Sequence, residues 1–150
     1  MWQRLIGTDN NWCYFIARVV LGVVFFAHGA QKMLGWFGGA GPSATVHMFT
    51  AYMGIPFLIA WLVIAIEFFG SLGLIFGLLS RIAALGIIAD MIGAIAMVHH
   101  KFGFFMNWMG NQKGEGYEYH LLAIALALVI LIGGSGAASL DRLLSRKGAA

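Results

Sequence analysis

The chain has 150 residues, of which 61% are hydrophobic and only 10% charged, with nine Lys and Arg against six Asp and Glu for a net charge of +3. A soluble domain carries roughly 25% charged residues, so this chain cannot cover its apolar surface with polar groups; a water-soluble globular protein is excluded and the fitting solvent is a bilayer. Its basic residues are scattered rather than gathered on one face, which argues against a nucleic-acid partner, and the single cysteine, Cys13, rules out an internal disulfide, a CxxC redox pair and a thiolate-rich metal cage built from one chain.

Four stretches reach the ~20 residues a helix needs to cross the hydrocarbon core: residues 12–35, 56–79, 81–100 and 119–136. The first carries an internal Arg18 and no small-residue cleavage site before Lys32, so it reads as a retained span and not a signal peptide. The second and third are separated only by the turn at Ser80 and Arg81, which predicts an antiparallel hairpin. Both long loops then emerge on one side, and their Trp36, Phe37, Phe104, Phe105 and Trp108 read as interfacial anchors. Arg4, Arg81, Arg142, Arg146 and Lys147 fall on the side of the termini, against Lys32, Lys101 and Lys113 on the loop side. The positive-inside rule therefore predicts an all-α integral membrane four-helix bundle with both termini cytoplasmic. The basic tail after Leu140 fits an anionic leaflet.

Glycine supplies 21 residues, about twice the usual share. Gly22 and Gly29, Gly70 and Gly77, and Gly86 and Gly93 each stand seven apart, so three spans carry a small-residue stripe that lets membrane helices approach closely. Packing is the first reading of these stripes; room for a flat ligand is the second.

A charge near the bilayer centre costs ~2.5–3.5 kcal/mol even on the lenient insertion scale, so those present need partners or a purpose. Arg18 lies ~9 Å into its span at 1.5 Å per residue, while Glu67 and Asp90, counted from opposite ends, both fall near the midplane. Arg18 is expected to pair with one or both. Such a cluster fits either a latch that fixes helix packing or a proton path and ligand anchor.

All five histidines fall toward the loop side: His28, with Lys32 one turn further on the same face, then His47, His99, His100 and His120. Singly, an interfacial histidine is a wet amphipathic residue. Together with Lys32, Glu118 and Tyr119 they form candidates for an outward-facing pocket that exchanges protons. Paired axial ligation of a haem from His28 with His99, His100 or His120 needs two facing rings at equal depth and is the lesser cofactor expectation. No HxxxH or HxxE spacing falls within one helix, so no metal site is predicted.

The run Arg18-x3-Gly22-x5-His28-Gly29-x2-Lys32, then Glu67-x2-Gly70-x2-Gly73-x3-Gly77-x3-Arg81, then Gly116-Tyr117-Glu118-Tyr119, and finally Gly133-Gly134-Ser135-Gly136-x2-Ser139-Leu140-Asp141 resembles the DoxX family of small four-helix membrane proteins. The resemblance runs from the first span to Asp141 and implies a single domain, a multi-pass protein of the bacterial or archaeal plasma membrane, associated with quinone-linked electron transfer. It carries over Arg18, His28, Lys32, Glu67 and Glu118 as positions where the family pattern is polar. The resulting expectation is a redox-associated subunit that binds a quinone or a similar lipophilic aromatic molecule, beside a soluble or membrane redox partner that supplies the substrate chemistry. The alternative is a non-enzymatic scaffold or assembly subunit, or a small permease formed by homo-oligomerisation.

Overall fold

A computed structural model describes residues 2–147 and the side chains of residues 3–145. The side chains of Arg146 and Lys147, counted above toward the positive charge of the terminal side, lie outside those described. Every regular element among the described residues is helical: α1 (Trp2–Ile6), α2 (Trp12–Leu34), α3 (41–52), α4 (Phe57–Phe76), α5 (Ser80–Phe102), α6 (Glu118–Gly133) and α7 (Leu140–Lys147). Two of the long helices are not α-helical throughout. A π turn occupies Ile66–Gly70 in α4 and another Ile95–His99 in α5.

Local chemistry sets the ends of these helices. The Asn11 side chain accepts the Cys13 N–H at 2.8 Å and caps the start of α2, while Gly35, in the left-handed region at φ 72°, closes its other end. Pro56 precedes α4, and Gly77 at φ 68° ends it. The α4–α5 hairpin is capped from a distance, since the Asp141 carboxylate accepts the backbone N–H groups of Leu79 and Ser80 at 2.8 and 3.2 Å.

Helix α2 packs against α4 and α6, and α5 packs against the same two. They enclose a core of Leu21, Phe25, Leu74, Ala84, Ile87, Met91, Ala127 and Ile130. Outward, Ile16, Val20, Leu58, Leu62, Phe69, Leu85, Ile92, Leu122 and Ile132 are exposed, an arrangement that lipid, and not water, satisfies. Helices α2, α4 and α5 are long and apolar enough to cross a membrane. The fourth predicted span is shorter than expected: α6 has 16 residues, about 24 Å at the helical rise against a core of ~30 Å. It stops at Gly133 because Gly134 (φ 80°, ψ −160°) turns the chain out of the helix.

Two ends result. The loop end holds α3 and residues 103–117; α3 seats Val46 and Phe49 on Ala60 and Ile64 of α4. The terminal end holds α1, the turn at 134–139 and α7, with α1 against α7. The glycine stripes are not uniformly packed. A Cβ on Gly29 would fall 2.5 Å from the Glu67 carbonyl carbon and one on Gly86 3.1 Å from Ile66, whereas one on Gly93 would meet nothing within 4 Å.

Candidate functional site

The loop-end polar group begins where α2 and α4 touch most closely, at Gly29 against the Glu67 backbone. One turn along α2, the Lys32 ammonium donates to Glu67 Oε2 at 2.5 Å, and Glu67 is 5% exposed. Glu67 belongs to the π turn of α4, a local widening that recurs at functional sites. From α5, which packs on the π turn that carries Glu67, Asp90 comes close enough for the two carboxyl groups to interact. One cation therefore faces two carboxyl groups, and one proton on the pair makes the group neutral.

Helix α6 brings the next layer. The Tyr119 ring stands 6.2 Å from that of His28 and 5.5 Å from that of His120, and the His120 ring lies against that of His99, tilted by 43° with centres 4.1 Å apart. The second π turn ends on His99, whose Nδ1 lies 2.8 Å from the Glu115 carbonyl oxygen. A carbonyl only accepts, so that partner assigns the proton to Nδ1 and leaves Nε2 as the free acceptor. Around this group, Asp90 Oδ2, Tyr119 Oη and His120 Nδ1 are buried without a hydrogen-bond partner. They are the only such side-chain atoms among the described residues. Each costs ~1–3 kcal/mol if left unmet, which is the signature of a place meant for water or a ligand oxygen.

Arg18 is not part of this group, and its expected pairing with Glu67 or Asp90 does not occur. At the terminal end its guanidinium donates to five carbonyl oxygens: Nε to Ser135 at 2.7 Å, Nη1 to Leu74 and Ile75 at 2.7 Å each, Nη2 to Ala137 at 3.1 Å and Ala138 at 2.6 Å. The end of α4 and the 134–138 turn converge there with carbonyls left over from regular helix bonding, of which Leu74 alone also accepts a backbone amide, the Gly77 N–H at 3.2 Å. Asp141, 1% exposed, is the nearby acid; it caps the hairpin and accepts from Ser135 Oγ, which in turn accepts from the Ser80 hydroxyl, 2.8 Å away. The tail after Leu140, expected at an anionic leaflet, thus begins with a buried acid, and in the sequence only the Gly134 to Asp141 turn pattern signals this.

Two other candidates lie apart from the group. Glu118 clamps the outer loop, accepting the Met106 N–H at 2.8 Å and the Trp108 indole N–H at 3.2 Å. His100 is exposed, its Nδ1 3.2 Å from the Ile95 carbonyl oxygen. Among the described residues no three His, Cys, Asp or Glu gather to hold a metal ion.

An all-helical chain with an apolar exterior and charged groups gathered inside is a membrane protein. It belongs to the DoxX family, whose model matches residues 13–100. The chain is 33% identical to a Bacillus subtilis protein named "Putative oxidoreductase CatD", over 77% of this chain and 75% of that one. It is 30% identical to the inner membrane protein YqjF of Escherichia coli, over 88% of this chain and 92% of that one. A membrane protein of Mycobacterium tuberculosis is 29% identical over 99% of this chain and 91% of its own. No solved structure matches the chain.

Proposed function

We propose that this DoxX-family protein is a multi-pass subunit of a bacterial or archaeal plasma membrane, with α2, α4, α5 and the shorter α6 crossing the bilayer and both termini in the cytoplasm. The loop end takes a quinone or a similar lipophilic aromatic molecule into the space bounded by His28, Lys32, Glu67, Asp90, Tyr119 and His120, in association with a redox partner. One observation carries the reading: Asp90 Oδ2 of the carboxyl pair, and Tyr119 Oη and His120 Nδ1 beside it, are buried and unpartnered next to the Lys32–Glu67 ion pair. A hydrophobic pocket with a few convergent polar groups is what a flat lipophilic ligand with hydrogen-bonding oxygens requires. The name of the Bacillus subtilis relative, an oxidoreductase, agrees in chemistry, and Arg4, Arg81 and Arg142 at the terminal end support the orientation.

A quinone supplies the electron and proton carrier chemistry. Tyr119 Oη donates to a ligand oxygen, His120 Nδ1 either accepts or donates according to its tautomer, and the Glu67 and Asp90 pair holds or gives up a proton as the charge on that oxygen changes. Mild detergent extraction followed by mass spectrometry of co-purifying small molecules tests this. A lipophilic aromatic compound should accompany the protein and be lost or depleted in Glu67→Gln and His28→Ala. Wild-type protein that is folded yet ligand-free, with no affinity on titration with a short-chain quinone, would refute it.

A further inference from the structure

The polar group has two neighbours along the molecule, and they differ. Toward the terminal end lies an apolar layer of Leu21, Phe25, Leu74, Ile87, Ala127 and Ile130, each at most 2% exposed. Its one polar side chain, Ser71, already donates to the Phe68 carbonyl at 2.7 Å, and beyond it Arg18 has no free donor. Toward the loop end polar side chains follow one another: the Tyr119 and His120 rings are 5.5 Å apart and those of His120 and His99 4.1 Å, and His99 bonds the Glu115 carbonyl in the 103–117 loop. Two of the three unpartnered atoms, Tyr119 Oη and His120 Nδ1, belong to this branch.

We propose that the Glu67 and Asp90 pair exchanges protons only with the loop face of the membrane, through Tyr119, His120 and His99. The proposal builds on the reading of this group as a ligand site and assigns the side from which its protons come and go. The groups facing the carboxyl pair are Lys32 and His28 from α2, His99 from α5, and Tyr119 and His120 from α6. With Lys32 charged and one proton on the pair, the group is neutral. When that proton leaves, the Tyr119 hydroxyl or a water beside it carries it to His120 Nδ1, His120 releases its Nε2 proton to His99 Nε2, and His99 passes one proton to loop water while its Nδ1–H stays on Glu115. Only O–H and N–H bonds break and form, and one proton lost by the pair equals one gained outside. Exchange of the His120 tautomer resets the path. The arrangement makes proton exchange sided, so ligand chemistry at the group releases or takes protons on one face of the membrane.

The test uses the full chain in phosphatidylcholine and phosphatidylglycerol vesicles with known orientation and no added quinone, so that its failure is separable from failure of ligand binding. The infrared carboxyl band, assigned by its loss in Asp90→Asn and Glu67→Gln, is followed after a pH jump on one face. The band should follow the loop-side pH and ignore the terminal side, and His120→Phe should slow its response about a hundredfold, the scale of a positioned proton-transfer group. His99→Phe serves as the second variant should the first not fold, with the same slowing expected. A response to the terminal-side pH, or an unaltered rate in a folded variant, would overturn the proposal.

Discussion

Both ends of the molecule bury charge, yet they treat it in opposite ways. At the terminal end, every donor of the Arg18 guanidinium has a carbonyl, Asp141 accepts from two backbone amides and a hydroxyl, and Arg81 donates to the carbonyls of Leu5, Gly7, Leu131 and Ile132. At the loop end, Lys32 satisfies Glu67 while Asp90, Tyr119 and His120 each keep a buried atom open. Desolvating a charge costs several kcal/mol in either place, so burial alone does not separate a latch from a binding site. Saturation does: a closed set of hydrogen bonds can only hold the chain, whereas an open set has capacity for something else. From sequence, Arg18, Glu67 and Asp90 form one cluster that fits either a latch or a proton path and ligand anchor; the structure divides them, with Arg18 on the closed side and the two acids on the open side.

The strongest way to break this comparison is Arg18→Met. It strands the carbonyls of Ile75, Ser135, Ala137 and Ala138, leaves Leu74 with only the Gly77 N–H and removes the positive neighbour of Asp141, so unfolding in detergent should be easier by about 3–5 kcal/mol. Arg18→Lys should recover less than half of that, because an ammonium has three donors and no planar fork. A loss below ~1 kcal/mol in the Met variant would mean that the terminal cluster is not a latch. Glu67→Gln should reverse the pattern. Asp90 remains to balance Lys32, so stability should fall by only ~1 kcal/mol, the worth of a hydrogen bond, while ligand retention in extracted protein falls about tenfold, or 1.4 kcal/mol. Equal damage to both quantities would erase the distinction between the two ends.

Much of this was legible in the chain itself, and the misses have definite causes. Apolar length located α2 within a residue, Trp12–Leu34 against 12–35, and counting rise from opposite ends brought Glu67 and Asp90 near each other, where they interact. The i, i+4 spacing put Lys32 on the face of His28, although its pairing with Glu67 was not foreseen. The partner of Arg18 was missed because its bonds go to backbone carbonyls at the end of α4 and in the 134–138 turn, and backbone acceptors leave no mark in composition. The same turn made α6 shorter than its apolar run. Which of His99 and His100 faces inward depends on the π turn at Ile95–His99, which shifts the face by a fraction of a turn that a 3.6-residue period does not register.

The glycines give the finest comparison, because two that look alike in sequence stand in different surroundings. A Cβ on Gly29 would lie 2.5–2.6 Å from the backbone of Glu67 and Phe68, and backbone does not rotate away as a side chain does. Gly29→Ala must push α2 from α4 at the point where Lys32 reaches Glu67, so it should cost about 1–3 kcal/mol and reduce ligand retention as well. Gly93 lies one turn past Asp90 with nothing within 4 Å of its Cβ position. If that space is lipid or solvent, Gly93→Ala should add about 0.5–1 kcal/mol of stability through lower backbone entropy in the unfolded chain and leave retention unchanged. Loss of ligand with a gain in stability would instead place the ligand against α5 beside Gly93, because a methyl group that disturbs nothing in the protein can disturb only what the protein holds.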